Sequence, residues 1–157
     1  QIFIEKNIPV GAGLAGGSTD AAAVLIGINK IYDYNLPLTE LMKTAAQIGS
    51  DVPFCLLGTE SIGDRLVRKG ATALAKGRGE KLTSIRSGIA LDMVLVKPDW
   101  QISTAEVYRE FRFDKVKHYP DTKAFIEAWT RCDIINTAAY LGNVLESVSI
   151  GKYPEIG

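Results

Sequence analysis

Apolar positions fall into two periods along this chain, and the switches between them mark its elements. Residues 1–8 (QIFIEKNI) place Ile2, Ile4 and Ile8 on one side of an extended segment, which predicts a strand. Residues 19–34 change to a helical period: Val24, Leu25, Ile28 and Ile31 form the face expected inside, and Ala23, Ile26 and Lys30 another. Asn35, Leu36 and Pro37 stop that helix. Thr39 is the expected cap of a second helix over 40–48, with Leu41, Met42, Ala45 and Ile48 inward and Gly49 at its end. A short apolar segment, 51–57, surrounds Pro53, and 58–70 is polar and charged. Residues 71–75 and 81–85 read as strands about a Gly77-Arg78-Gly79 turn. Residues 91–96 (LDMVLV) read as a buried strand closed by Pro98, and helices are expected over 104–111, 122–132 and 134–148. The class is α+β, and the change of pattern near 86–90 divides the chain into 1–88 and 89–157.

At 157 residues the chain can bury one real core or parts of two. It starts with Gln1, inside the first expected strand, and stops abruptly after YPEIG, which predicts a fragment cut at both ends. Lys+Arg and Asp+Glu both number 18, so bulk charge gives no hold on nucleic acid. No apolar run reaches the length of a membrane span and no leader is visible, and a cytoplasmic location is expected. Cys55 and Cys132 are too few and too far apart for a disulfide framework or a metal knuckle; each is expected to be buried and reduced.

The chemistry concentrates in IPVGAGLAGGSTDAAA, residues 8–23. Four glycines (Gly11, Gly13, Gly16, Gly17) remove side chains where a backbone approaches something closely, and Ser18 and Thr19 offer hydroxyls and an N-cap ahead of a helix. A helix start carries free N–H groups and partial positive charge, so the segment suits an anion, a phosphate above all. Gly11-x-Gly13-x-x-Gly16 fits a dinucleotide fingerprint literally, but Pro9 sits where the tight strand-to-helix turn should begin, a helix rather than a strand follows, and no acidic residue ends a second strand. A Walker A loop is excluded because no lysine precedes Ser18 and Thr19.

This segment resembles the central motif of the GHMP kinases, a family that includes galactokinase, homoserine kinase and mevalonate kinase. Further motifs agree in order and spacing: Ile48-Gly-Ser-Asp51-Val-Pro-Phe54, Thr72-Ala-Leu-Ala-Lys-Gly-Arg-Gly-Glu80, Val96-Lys-Pro98 with Ile102-Ser-Thr-Ala-Glu-Val-Tyr108, and Leu141-Gly-Asn143-Val-Leu-Glu146. The resemblance covers nearly the whole chain. It implies the two-domain GHMP kinase fold, incomplete here. Residues 1–88 would be the C-terminal portion of the first domain, with the ATP loop and catalytic aspartate, and 89–157 the start of the second. ATP and substrate would meet between the two. It implies transfer of the ATP γ-phosphate, with Mg²⁺, to the 2-hydroxyl of a cytidine-diphosphate-linked methylerythritol in non-mevalonate isoprenoid synthesis. Another small-molecule alcohol of the family, or a non-catalytic nucleotide-binding module, is the alternative. No nucleic acid and no membrane partner are expected.

Residue by residue, the resemblance assigns the ATP phosphates to Pro9, Val10, Gly11, Ala12, Gly13, Leu14, Ala15, Gly16, Gly17, Ser18 and Thr19, the two hydroxyls donating or reaching Mg²⁺. It makes Asp51 the carboxylate that accepts the alcohol proton. Local sequence alone reads Asp51 as a helix cap with Pro53 just inside the helix, and the two roles are compatible. Lys6 is either near the nucleotide or a solvated strand lysine. Asp20 reads as first-turn charge and Glu80 as a turn residue in a salt bridge. Thr104 and Glu106 read as a helix start or a substrate contact, His118 as exposed, and Trp100 and Trp129 as packing. Residues 59–71 look inserted, and Arg65, Arg68 and Lys69 make a basic lid over phosphates conceivable. A lysine partner for the aspartate, cytidine-gripping residues and a second glycine-rich loop are expected outside this chain. The isolated 157 residues are therefore expected to show no ATP-dependent phosphorylation; ADP release from the isolated chain with substrate present is the check.

Overall fold

A computed structural model describes residues 1–62, 65–68, 70–86, 88, 90–99 and 102–157, with backbone alone at 59–62 and 65–68. Two compact units emerge, Gln1–Ile85 and Arg86–Gly157.

The first unit carries α1 (Gly16–Ile31), α2 (Leu38–Ile48) and α3 (Val52–Leu56), then two hairpins, β1 (Thr59–Ile62) with β2 (Arg65–Arg68) and β3 (Ala73–Lys76) with β4 (Lys81–Ser84). Both hairpins are antiparallel, the second in register from Ala73 opposite Ser84 to Lys76 opposite Lys81. The core lies among the three helices: Ala22 from α1, Leu41 and Ala45 from α2, and Val52, Cys55 and Leu56 from α3, flanked by Ala21, Leu25, Ile26 and Met42. Alanine at positions 22 and 45 keeps side-chain bulk out of the junction, so the helix backbones can approach one another. Between α1 and α2, Asn29 Oδ1 accepts the Leu36 N–H at 3.0 Å and its Nδ2 donates to the Leu36 carbonyl at 3.2 Å, pinning the returning chain.

Several expectations change here. Helix α1 starts three residues before Thr19, behind Ala15 in a left-handed conformation (φ 52°, ψ 26°), and no side chain caps it; Ser18 and Thr19 are helical, not N-cap residues. The inward face turns with that start: Ala22, Leu25 and Ile26 meet the core, whereas Ile28 and Ile31 are exposed. Thr39 lies inside α2, whose N-cap is Pro37, and Ile48 is exposed. Residues 1–8 and 91–96 form no strand. Ile2 is 60% exposed and Val94 89%, because neither segment has a ladder partner among the described residues. The expected helix over 134–148 splits into α6 (Ile134–Ala139) and α7 (Glu146–Lys152). Asn143 Oδ1 accepts the Leu145 N–H at 3.0 Å, a local turn that competes with helix, and a Cβ on Gly142 would lie 3.0 Å from Pro120 Cγ.

In the second unit α4 (Thr104–Glu110) and α5 (Thr122–Thr130) precede α6 and α7. Side chains cap three of these helices: Ser103 accepts from the Glu106 N–H, Asp121 from Ala124 and Asp133 from Asn136. Each such cap contributes about 1 kcal/mol. Lys152 on α7 pairs with Glu106 and, at 2.8 Å, with Glu110, tying α7 to α4. Cys132 is exposed rather than buried, in a left-handed turn after α5 (φ 58°). Gly63, Asp64, Lys69, Ser87, Ile89, Trp100 and Gln101 lie outside the described residues, and with them the expected role of Trp100 and, with the side chains of Arg65 and Arg68, the basic lid.

Two outcomes follow from this packing. Leu56 is fully buried, so Leu56→Ala should cost about 2–5 kcal/mol in denaturant unfolding. The Lys152 hydrogen bond holds the Glu106 carboxyl below its ordinary value, while Glu106 and Glu110 raise Lys152. A lowered carboxylate stabilises above its unfolded pKa and loses that contribution as pH falls through the folded value; a raised lysine stabilises below its unfolded pKa and loses it as pH rises through the folded one. Lys152→Met should return Glu106 to the ordinary carboxylate range in an NMR titration, and added salt should shrink the difference.

Candidate active site

The glycine loop folds by alternating the sign of φ. Gly11 (69°), Gly13 (71°) and Ala15 (52°) are positive, and the intervening Ala12 and Leu14 are not. Such alternation turns successive N–H groups toward one side and makes a concavity for an anion. It runs directly into the start of α1, where the first helical bond, Thr19 N–H to the Ala15 carbonyl at 2.9 Å, leaves the preceding N–H groups without a side-chain cap.

The glycines there divide by reason. A Cβ on Gly16 would touch Ile8 at 3.4 Å and come within 3.6 Å of Lys6 Nζ, so Gly16 is small for packing. A Cβ on Gly13 or Gly17 would meet nothing within 4 Å. Glycine in a helix costs about 0.5–1 kcal/mol relative to alanine, and at Gly17 no contact within the chain repays that cost. The open side suits a ligand that approaches the backbone closely.

Lys6 is exposed, as a solvated lysine would be, but it lies in no strand. Its ammonium pairs with Asp20 and stands beside Gly16, at the N-terminal end of α1. Asp20 lies one turn inside the helix, because α1 starts early, and it answers Lys6 rather than the first turn. Thr19 Oγ1 lies 3.7 Å from Cys55 Sγ, so this hydroxyl faces α3 while Ser18 makes no such contact.

Asp51 occupies the N-cap position of α3, with Pro53 at the second helical position, yet its carboxylate makes no capping bond. The residue is exposed, and Ser50 Oγ lies 3.5 Å from its Oδ1. Because α3 packs on α1 through Cys55, Leu56 and Ala22, the loop and Asp51 are carried by two helices of one core.

Glu80 closes the β3–β4 turn, and among the described residues it makes no salt bridge. Its Oε2 accepts the Arg78 N–H at 2.7 Å, and the backbone N–H groups of Glu80 itself and Arg78 hold its carboxyl below the ordinary value. The turn reaches back to the residue before Asp51: a Cβ on Gly79 would sit 2.8 Å from the Ser50 carbonyl oxygen. Sequence reading missed this contact; the signal available was a second glycine, Gly79, beyond the one a simple turn needs.

In the second unit, Thr104 begins α4 and the Glu106 carboxylate is engaged by Lys152. His118 is exposed beside a pocket of about 430 Å³ that Lys115, Lys117 and Ser147 also line. Trp129 stacks on Phe125, with ring centroids 6.4 Å apart, and covers Gly88, as a packing residue does. Among the described residues no cluster of three or more His, Cys, Asp or Glu could hold a metal, and no helix is long and apolar enough to cross a membrane.

The sequence is similar to known proteins. Residues 1–59 match the family described as GHMP kinases N terminal domain. Proteins named 4-diphosphocytidyl-2-C-methyl-D-erythritol kinase are similar along 99% of this chain: 55% identical in Syntrophomonas wolfei, 47% in a Geobacillus strain and 45% in Caldicellulosiruptor saccharolyticus. The chain spans 50%, 49% and 50% of those proteins, about half their length. The chain is thus similar to the GHMP kinases N terminal domain over residues 1–59, the stretch that holds the glycine loop and Asp51, and to about half the length of these named kinases.

Proposed function

We propose that this protein transfers the ATP γ-phosphate to the 2-hydroxyl of 4-diphosphocytidyl-2-C-methyl-D-erythritol in the cytoplasm, as part of non-mevalonate isoprenoid synthesis, on the two-domain GHMP kinase fold. The observation that carries the reading is an anion-shaped glycine loop and an uncapped, exposed carboxylate mounted on adjoining helices. The names of the similar proteins supply the acceptor.

Phosphoryl transfer demands positioning and charge stabilisation more than covalent chemistry. The N–H groups between Val10 and Ser18 receive the phosphate oxygens, and the bare backbone at Gly13 and Gly17 lets them approach. The Lys6 ammonium, beside Gly16, adds positive charge at the same end of α1. Asp51 accepts the proton of the 2-hydroxyl as its oxygen attacks the γ-phosphorus. The bond to the β,γ-bridging oxygen breaks, and ADP and the 2-phosphate result. The Ser18 hydroxyl would help hold a Mg²⁺ ion bound with ATP, which would supply charge neutralisation on the phosphates.

In the full-length protein, Asp51→Asn should lower kcat about 10²–10⁴-fold with ATP affinity unchanged, measured by coupled ADP release and by calorimetry. Retained turnover removes Asp51 from the mechanism, and preference for another alcohol in a substrate panel reassigns the acceptor. Gly17→Ala should leave the fold as stable or slightly more so, since its Cβ meets open space, yet raise the KM for ATP; thermal unfolding and steady-state kinetics on one sample separate the two.

A further inference from the structure

We propose that the β3–β4 turn, Gly77 to Glu80, is a positioning device for Asp51 that acts through the Ser50 backbone; this rests on the reading of Asp51 given above. Gly77 and Gly79 hold φ of 73° and 119°, in the region that glycine alone enters without strain. The Glu80 carboxylate folds back over the turn to bond the Arg78 N–H, and it occupies the space a Cβ on Gly77 would need, 2.6 Å from its Oε1. The turn is thus locked by its own side chain.

Locked in this way, the turn presents the bare Gly79 backbone to Ser50. An added Cβ would stand 2.8 Å from the Ser50 oxygen and 3.4 Å from its carbonyl carbon and Cβ. Ser50, Arg78, Glu80 and Ala46 of α2 also enclose one small cavity. Asp51 follows Ser50 directly and lacks a capping bond that would fix its carboxylate by the usual means. The neighbouring peptide is instead braced by a hairpin 26 to 30 residues further along the chain.

A brace of this kind acts on the rate through Asp51 alone, because a misplacement of about 1 Å in a reacting group costs up to about 10²-fold. The test is a double-mutant cycle in the full-length protein, with kcat and the KM for ATP read for each variant. Gly79→Ala is expected to lower kcat about 10–100-fold and leave the KM for ATP within about two-fold. In an Asp51→Asn background the same change is expected to have no further effect on the residual rate. Glu80→Ala should follow Gly79→Ala, and Glu80→Gln, which keeps an acceptor oxygen, should recover part of the rate; this pair serves if Gly79→Ala fails to fold. Equal losses with and without Asp51, or an unchanged kcat, overturn the inference while leaving the kinase reading intact. A wild-type protein without turnover, or one that keeps it after Asp51→Asn, overturns that reading and the inference with it.

Discussion

The packing of α1 on α3 is the constraint on which the first unit depends. Ala22 of α1 and Val52, Cys55 and Leu56 of α3 are nearly or wholly excluded from solvent there, and both candidate functional elements are attached to these two helices. The glycine loop is the lead-in to α1, and Asp51 is the residue at the head of α3. Under the proposed function, an error in this core is an error in the separation of the bound phosphate from Asp51. Close packing makes that separation stiff, since interiors yield little to small displacements.

Electrostatics in the same region is set mainly by backbone. The start of α1 has no capping side chain, and the Asp51 carboxylate does not cap α3. Two groups that proteins ordinarily use to satisfy helix ends are left available. Lys6 supplies an ammonium at the N-terminal end of α1, held there by Asp20. Under the proposed function, this lysine, delivered from an upstream segment and oriented by an aspartate, takes the place of the lysine that a Walker A loop carries within itself.

Much of this could be read from residues in order. Gly77-Arg78-Gly79 announced the β3–β4 hairpin, Gly49 marked the end of α2, and Thr39 missed its start by two residues. The loop was visible because glycine spacing and a following helix coincide locally. What failed was information that lies outside the local window. Ile2, Ile4 and the run 91–96 carry strand composition, but a strand exists only where another chain segment offers its hydrogen bonds. The phase of α1 was misread because Ala15, not Ser18 or Thr19, turns the chain, and no side-chain preference marks an alanine for a left-handed start. The Gly79–Ser50 contact was invisible for the same reason: a missing side chain does not name the partner it makes room for.

The first hairpin has a pinched base. Gly58 and Gly70, with φ of 69° and 75°, come so close that a Cβ on Gly58 would lie 2.3 Å from the Gly70 oxygen. The two ends of the β1–β2 excursion are therefore fixed at one point, whatever length of chain runs between them. Closing a longer loop across a fixed gap costs only about 0.6 kcal/mol per doubling. This is where the chain can gain or lose residues over evolutionary time, or accept a reporter, without moving the end of α3 or the beginning of β3.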